Sequence, residues 1–458
     1  MHKLVVQKFG GTSVQDAEAM RRVMAIVREY GITRHHRPLV VLSACAGVTN
    51  SLIRISELAL LEDTADAIKE VDGLTTRHAT IVRDLIKDKR LQRDVLKQLG
   101  DIWSDLRKLV RGVHLLNELT LRSRDHFLSV GERASTLIFS AALGEALKKD
   151  GLEVILYDAR EFFITSREFS QARPLTRDIE RKMRPIRSQI AHGAIGVSQG
   201  FIGATTEGIT TTIGRGGSDF SAALMGVAVR AQEIQIWTDV AGIYTCDPRL
   251  TPAAAPIPTV SFAEASALAL FGAKVLHPET IWPAVEKGIP VRVLSSNEPE
   301  EEGTTILGEV AQTRPLTGIA FKRNVLLSQI SPLSAMPTLE SHAVLWETLV
   351  EQKAVPLAIS QTAHHALYVF EHAGIQTALR QELNGLASIE FWSDRSLVTL
   401  VGPGLETTPG IALRIFKAVG KTNCELITYG GDGIVVSFIV PDDKMPSVVK
   451  RLHKEFFE

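Results

Sequence analysis

The chain of 458 residues has few cysteines and no long apolar run. Cys45, Cys246 and Cys424 lie far apart without Cys-x-x-Cys spacing, so we expect reduced thiols and neither disulfides nor a zinc site. No apolar run approaches the length of a membrane span. Met1-His2-Lys3 leads directly into a predicted core strand, so we expect no signal or transit peptide and a cytoplasmic protein.

The sequence also lacks an excess of charge of either sign. Its 51 basic and 52 acidic residues give a formal net charge of −1. This balance argues against a nucleic-acid-binding surface and against a polybasic membrane anchor. The length exceeds what one hydrophobic core usually holds, so two or three domains are expected.

Neither of the established nucleotide-binding fingerprints is present. No Gly-x-Gly-x-x-Gly follows the first predicted strand, residues 4–9. Gly420-Lys421-Thr422 is similar to the end of a P-loop, but Ile415 stands where the first glycine of that motif belongs. We interpret residues 420–422 as a turn that ends a helix.

What the sequence does contain is a glycine-rich turn of the kind that binds anions. Gly214, Gly216 and Gly217 lie between an apolar run and a helix predicted over 220–229, and they permit positive φ and close approach of a ligand. The amides of Ser218 and Asp219 would open that helix, whose positive end favours negative charge. An ordinary glycine-rich loop before a helix is the alternative.

A second turn of this kind follows the first strand. Residues 4–9 run into Gly10-Gly11-Thr12-Ser13, and a helical pattern begins near Ala17. Strand, glycine pair and helix describe a phosphate cradle, in which Lys8 supplies a point charge. The alternative is a lysine at a strand end that points to solvent.

The order of predicted elements indicates a mostly parallel sheet covered by helices on both faces. Strand-like runs occur at residues 39–44, 154–157, 195–202, 234–238 and 290–294. A long helical insert separates residues 39–44 from residues 154–157. Its apolar positions keep 3/4 spacing and are interpreted as core: Leu99, Ile102, Trp103, Leu106, Leu109, Val110 and Val113.

Beyond Pro315 the predicted elements become short. Strands are expected at 318–330, 366–370, 397–402, 425–429 and 434–440, with helices at 343–352, 409–419 and 444–457. Two rounds of this pattern suit paired ferredoxin-like modules. A polar, turn-rich stretch at 297–304 predicts a domain boundary shortly after it, near residues 312–315.

Six motifs, taken together and in order, resemble the aspartate kinases of the amino-acid kinase superfamily. They are Lys8-Phe-Gly-Gly-Thr-Ser13, residues 41–50, Ser129-Val-Gly-Glu132, Gly214-Arg-Gly-Gly-Ser-Asp219, residues 237–244 and residues 271–278. The resemblance implies a three-layer α/β sandwich around a mostly parallel sheet over residues 1–312. Two regulatory ACT modules, 313–390 and 391–458, would follow.

The resemblance also implies an activity, transfer of the ATP γ-phosphoryl group to the side-chain carboxylate of L-aspartate. Lys8 and Asp219 would form the catalytic pair, with Asp219 orienting the lysine. Glu132 would bind the substrate ammonium and Arg215 its α-carboxylate. Ser43, Thr49 and Ser218 would contact the substrate.

Two bland alternatives stay open for these residues. Ser43 and Thr49 suit ordinary turn or cap chemistry, and the alternative for Glu132 is an ion pair with Arg133 or Arg124 on a helix face.

For ATP the resemblance implies a second group of residues. They are Lys8, Gly10, Gly11, Thr238, Asp239, Tyr244, Asp247, Arg249 and Lys274. Mg²⁺ would accompany the nucleotide, held mainly by phosphate oxygens and water because the sequence shows no carboxylate cage. His277, beside Pro278, is interpreted as structural.

The ACT modules imply a dimer and an effector amino acid. The first module departs from lysine-sensitive relatives, because Ser334-Ala-Met-Pro-Thr-Leu-Glu-Ser-His342 replaces a glycine-initiated helix and residues 355–359 lack an acidic residue. Only Gln361, Glu340 and Ser360 remain near the expected loops. A buried ammonium needs a carboxylate partner, so we expect a weak response to lysine, with threonine or no effector favoured.

Two other classes of function are compatible with parts of the sequence. Another enzyme of the superfamily, acting on glutamate, carbamate or a nucleotide, would share the phosphate loops but not the substrate motifs or the double regulatory tail. A sensor without catalysis would keep the tail and lose Lys8 or Asp219, and both are present.

Overall fold

The computed structural model describes most of the chain, namely residues 3–34, 36–61, 64–214, 216–273, 278–311, 314–333, 339–362, 365–371, 373–429 and 433–458. The chain divides into two compact units. The first comprises residues 1–242 and 275–308, and the second comprises residues 243–274 and 309–458. None of the helices in the described part of the chain has the length and apolar character of a membrane span.

The first unit alternates strands and helices over most of its length. In chain order they are β1 (Lys3–Phe9), α1 (Ala17–Arg28), β2 (His36–Leu42), α2 (Val48–Leu58), α3 (Ala65–Leu85), α4 (Lys89–Leu116), α5 (Leu121–Leu147), β3 (Val154–Tyr157), α6 (Ala159–Phe162), α7 (Thr176–Ala191), β4 (Ile195–Gln199), β5 (Ile202–Ala204), β6 (Thr210–Thr212), α8 (Gly217–Val229) and β7 (Glu233–Thr238). Next along the chain come β8 (Thr259–Ser261) and α9 (Phe262–Leu270), both in the second unit. The first unit then ends with α10 (Trp282–Glu286), β9 (Val291–Ser295) and β10 (Thr304–Leu307).

The sheet of this unit has the strand order β3-β4-β2-β1-β7-β9-β10. Neighbouring strands run parallel, except that β9 and β10 run antiparallel. Phe9 pairs in register with Leu42 of β2 and with Trp237 of β7. The loops that follow β1, β2 and β7 therefore leave the sheet at one edge.

Helices cover both faces of this sheet. On one face α1 to α5 form a continuous apolar core with Phe9, Leu42 and Val197 of the strands. On the other face α8 packs on β1 and β7. A Cβ at Gly226 of α8 would lie 2.4 Å from Ile234 Cδ1, so glycine lets this helix approach the sheet closely. The predicted three-layer α/β sandwich is confirmed.

The helical insert is confirmed as core. Within α4, Leu99, Trp103, Leu106, Val110 and Val113 are buried, and Ile102 and Leu109 are partly buried against the same cluster. The single strand predicted over 195–202 is wrong. β4 ends at Gln199, Phe201 has a φ of 65°, and β5 begins at Ile202.

The second unit contains an antiparallel sheet with helices. Besides β8 and α9, its elements are β11 (Gly318–Pro332), α11 (Leu339–Glu351), β12 (Ala358–Gln361), β13 (Ala366–Phe370), α12 (Gln376–Glu382), β14 (Ala387–Val401), α13 (Ile411–Val419), β15 (Ile427–Tyr429), β16 (Val435–Pro441) and α14 (Met445–Phe457). The strand order is β12-β13-β11-β14-β16-β15. Leu345 and Leu379 of α11 and α12 belong to one core, whereas Ile415 and Val448 of α13 and α14 belong to another.

Two ferredoxin-like halves thus share one sheet through the long pair β11 and β14, which stay in register over most of their length. The strand predicted at 397–402 is only the end of β14. Gly420 ends α13, as the sequence predicted. Residues 243–274 group with the tail by their contacts. The domain limits at residues 312 and 390 stay predictions.

Candidate active site

An ion pair joins the end of β1 to the start of α8. Lys8 Nζ lies 2.6 Å from Asp219 Oδ1, and the two side chains are 11% and 15% exposed. Lys8 is the penultimate residue of β1, and Asp219 lies in the first turn of α8. The structure therefore brings together the two residues predicted as the catalytic pair.

The glycine turn after β1 packs tightly against the loop after β2. Gly11 begins a short 3₁₀ turn, and a Cβ there would lie 2.8 Å from the carbonyl oxygen of Ala44. The amide of Ala46 donates to the carbonyl of Gly11 at 3.0 Å. Gly10 was predicted to contact ATP, but its amide is not available to a phosphate oxygen, because that N–H donates to the Trp237 carbonyl at 3.2 Å. Gly11 is the member of the pair whose amide suits a ligand.

The loop after β2 carries Ser43, and Thr49 lies in the first turn of α2. Ser43 Oγ donates to Ser218 Oγ at 3.0 Å, and the Ser43 amide donates to the Phe9 carbonyl at 3.3 Å. Thr49 is half-buried. These contacts place Ser43 beside the start of α8.

Arg77 of α3 was not predicted and holds two of the site loops together. Its guanidinium donates to the Ala46 carbonyl at 2.9 Å and to the Gln15 carbonyl at 3.0 Å. The planar fork of arginine suits two acceptors on neighbouring segments. An arginine inside a long amphipathic helix gives no signal of such a contact.

The turn before α8 confirms two of the three glycine predictions. Gly214 and Gly216 have φ values of 81° and 71°. The prediction of positive φ for Gly217 is wrong, because this residue is the first of α8. Glycine is needed there for a steric reason, since a Cβ would lie 2.8 Å from the Phe201 ring. The Asp219 amide donates to the Gly216 carbonyl at 3.0 Å, so it is not an anion donor. Arg215 lies outside the described residues.

Glu132 of α5 is a buried carboxylate with no ion-pair partner in the described part of the chain. It is 3% exposed, and burial raises its pKa to about 8 although the Ala44 amide donates to the carboxylate. Its Oε2 has no hydrogen-bond partner among the described residues. Neither Arg124 nor Arg133 pairs with it in that part of the chain, so the predicted alternative of a helix-face ion pair is wrong.

The end of β7 carries two of the residues predicted to meet a nucleotide. Thr238 Oγ1 donates to Asp239 Oδ1 at 3.0 Å, and the Ser296 amide donates to the Thr238 carbonyl at 2.8 Å. Ser296 Oγ also lies 2.8 Å from Ser13 Oγ. The turn after β1 is thereby tied to the ends of β7 and β9.

The other residues predicted to line the nucleotide belong to the second unit or lie outside the described residues. Tyr244, Asp247 and Arg249 belong to the second unit, where Arg249 Nη2 lies 2.7 Å from Asp247 Oδ2. The guanidinium holds the pKa of Asp247 below its usual range. Lys274 and His277 lie outside the described residues.

The contacts form one continuous series of groups. The Glu132 carboxylate accepts a hydrogen bond from the amide of Ala44, which follows Ser43 in the chain. The Ser43 hydroxyl donates to that of Ser218. Ser218 precedes Asp219, which forms the ion pair with Lys8. The series presents a buried carboxyl group without an ion-pair partner among the described residues, two hydroxyls and a lysine. It suits a small ligand that carries both an ammonium and carboxylate groups, next to a site for a polyanion.

Two family models match parts of the chain, and relatives of known function are similar to it over its whole length. The model of the amino acid kinase family matches residues 3–295, and an ACT domain model matches residues 398–456. The lysine-sensitive aspartokinase 3 of Escherichia coli (strain K12) is 32% identical over 467 residues, covering 100% of both chains.

Two crystal structures of E. coli aspartokinase III are similar over the whole chain. The complex with aspartate and ADP is 31% identical with a TM-score of 0.81, and the alignment covers 100% of each chain. The complex with lysine and aspartate is 31% identical with a TM-score of 0.85, and the alignment covers 99% of this chain and 100% of that one.

The close packing at Gly131 generates a prediction about stability. A Cβ there would lie 2.7 Å from Ala44 Cβ and 3.2 Å from Val48 Cγ1. We expect Gly131→Ala to lower the free energy of unfolding by about 1–3 kcal/mol through overpacking, measured by urea unfolding. Gly112→Ala in α4, where a Cβ meets nothing within 4 Å, should stabilise by up to about 1 kcal/mol. Equal stability of the Gly131→Ala variant and the wild type would contradict the packing argument.

Proposed function

The chain belongs to the aspartokinases of the amino acid kinase family, and we propose that it phosphorylates L-aspartate through the groups at the edge of its parallel sheet. The reaction transfers the γ-phosphoryl group of ATP to the side-chain carboxylate and gives 4-phospho-L-aspartate. This is the first step toward the aspartate-derived amino acids lysine, threonine, methionine and diaminopimelate.

The chemistry needs positioning more than proton transfer. The side-chain carboxylate of aspartate has a pKa of about 4, so it is already ionised at neutral pH and requires no general base. The difficulty is to bring this anion to the polyanionic triphosphate. Phosphoryl transfer is catalysed mainly by alignment and by stabilisation of charge on the moving group.

The Lys8–Asp219 ion pair is the observation that carries the proposal. Lys8 neutralises charge on the transferring phosphoryl group, and the Gly11 amide donates to its oxygens. Asp219 Oδ1, which lies 2.6 Å from Lys8 Nζ, holds the side-chain ammonium of Lys8 in place. Because α8 begins at Gly217, its positive end also faces this region.

Aspartate is recognised through opposite charges. Glu132 accepts the substrate ammonium through Oε2, the carboxylate oxygen that has no hydrogen-bond partner among the described residues. Arg215 binds the α-carboxylate with its planar fork. Ser43, Thr49 and Ser218 donate to the reacting carboxylate.

The nucleotide is assigned to the neighbouring strand ends. Thr238 and Asp239 meet the adenine, and the lining roles of Tyr244, Asp247, Arg249 and Lys274 stay predictions. Among the described residues no three His, Cys, Asp or Glu side chains form a metal-binding group. That fits Mg²⁺ held mainly by phosphate oxygens and water. Bound there, Mg²⁺ would neutralise phosphate charge, and Asp219 would hold one of its water molecules.

Replacing either member of the ion pair should abolish turnover. We expect Lys8→Ala and Asp219→Ala to lower kcat at least about 100-fold with retained folding, because the first removes charge from the transferring group and the second removes its support. ADP formation is measured with L-aspartate, with L-glutamate and without acceptor. Lys3→Ala, at the exposed start of the same strand, is the control and should keep wild-type rates.

Two results would contradict these assignments. Near-wild-type turnover of either variant would remove the residue from the catalytic pair. Preference of the wild-type enzyme for L-glutamate would favour another member of the family.

The raised pKa of Glu132 predicts a pH dependence of aspartate binding. The carboxylate must be ionised to bind an ammonium, and its pKa in the free enzyme is about 8. The KM for aspartate should therefore rise about tenfold per pH unit as the pH falls below 8. The KM for ATP serves as the internal control. A flat aspartate profile between pH 6 and 8, or the same profile in Glu132→Gln, would contradict the role.

The regulatory tail is proposed to dimerise the enzyme and to hold any effector, and the protein is proposed to be cytoplasmic. The acidic residue missing from residues 355–359 disfavours lysine, which has two ammonium groups to satisfy. We expect weak inhibition by lysine, with threonine or no effector acting instead. Titration of activity with lysine and threonine, separately and together, tests this. Strong inhibition by lysine alone at sub-millimolar concentration would overturn it.

A further inference from the structure

A second buried carboxylate lies on the helix that carries Glu132. Asp125 of α5 has no exposed surface and precedes Glu132 by seven residues, or about two helical turns. Both side chains therefore project from the same side of the helix. The sequence analysis did not single out Asp125.

Unlike Glu132, Asp125 accepts hydrogen bonds at both of its carboxylate oxygens. Oδ1 accepts from Thr212 Oγ1 at 2.7 Å and from Ser170 Oγ at 3.2 Å. Oδ2 accepts from the Thr212 amide at 3.0 Å and from the Ser170 amide at 2.9 Å. No basic side chain pairs with it in the described part of the chain.

The two segments held by Asp125 lead into the candidate site. Thr212 ends β6, and Gly214, at the start of the glycine turn, follows two residues later. Ser170 has a φ of 69°, a value that serine rarely adopts, and a Cβ at Gly214 would lie 3.5 Å from the Ser170 carbonyl oxygen. The Ala172 amide donates to the Thr212 carbonyl at 3.0 Å. The Asp125 carboxylate thus fixes the end of β6, which leads into the glycine turn.

We propose that Asp125 is a positioning residue for aspartate recognition, which fixes the turn between β6 and α8 against the same helix that presents Glu132. The hydrogen bonds of Asp125 tie the end of β6, which leads toward Ser218, to the helix that carries Glu132. A small substrate contacted from both sides requires that these two segments keep a fixed arrangement. The inference rests on the proposed function, which assigns Glu132 and Ser218 to aspartate.

The test compares two carboxylates of the same helix. Asp125→Asn keeps the size, but its NH₂ group can only donate, so it faces the N–H groups of Ser170 or Thr212 and breaks part of the set. Glu145→Gln is the matched control. Glu145 also lies on α5 and accepts the amides of Lys87 at 3.0 Å and Asp88 at 2.5 Å, thirteen residues beyond Glu132.

Steady-state kinetics give the first readout. We expect Asp125→Asn to raise the KM for aspartate about tenfold or more and to leave the KM for ATP within about twofold. Glu145→Gln should change neither constant. Asp125→Asn with both constants unchanged, or with both raised equally, would overturn the proposal and leave Asp125 a purely structural residue.

Hydrogen exchange of the folded proteins gives a readout independent of turnover. Asp125→Asn should speed exchange at residues 165–175 and 210–219 while the amides of β1, β2 and β7 stay protected. Faster exchange throughout the protein, or no change in exchange relative to the wild type, would contradict a local positioning role. If the wild-type enzyme did not phosphorylate aspartate, the proposed function would fail by itself, and the exchange pattern would still decide whether Asp125 positions the turn.

Discussion

The buried carboxylate of Glu132, which has no ion-pair partner among the described residues, is the constraint on which the rest of the proposed site depends. Taking a carboxylate out of water without a partner is unfavourable by several kcal/mol, and proteins commonly respond by protonation. The pKa of Glu132 is accordingly raised to about 8, so the group is mostly neutral at pH 7. A ligand ammonium at this position would restore the charged form. Under the proposed function, Glu132 of the free enzyme therefore favours a substrate that carries a positive charge.

The fold connects this carboxylate to the edge proposed to bind phosphate through hydrogen bonds and packing, with no charged contact between them among the described residues. α5 lies close against the loop after β2 because Gly131 leaves room for Ala44. That loop bonds the start of α8 through Ser43 and Ser218, and the start of α8 holds Lys8 through Asp219. Among the described residues Glu132 has no ion-pair partner, whereas Lys8 is paired with Asp219. In the proposed function this difference separates the binding of an ammonium from the binding of phosphate.

Much of this arrangement could be predicted from the sequence, because short motifs fix local backbone geometry. A strand that runs into two glycines and a glycine turn before a helix predicted the two loops that the sheet brings together, and 3/4 spacing predicted the core of α4. Sequence patterns do not report which amides are already bonded. The amides of Gly10 and Asp219 are engaged in the structure, and Gly217 is needed for contact with Phe201 and not for its φ.

Contacts between distant residues were also not predictable. Arg77 and Asp125 act on backbone groups far away in the chain, and nothing in their own neighbourhood indicates it. The length of β14 was underestimated because the residues at its start alternate exposed and half-buried positions and include charged side chains. Such a strand is defined by its pairing with β11, which only the tertiary structure supplies.

Calorimetry of L-aspartate binding in buffers of different ionisation enthalpy tests the role of Glu132 most directly. If the ammonium of the substrate takes the place of the proton on Glu132, binding at pH 7 should release about nine-tenths of a proton, given a pKa of about 8 in the free enzyme. The release should fall toward zero above pH 9 and should be lost in Glu132→Gln. Binding without proton release at pH 7, or release that persists in Glu132→Gln, would contradict the account.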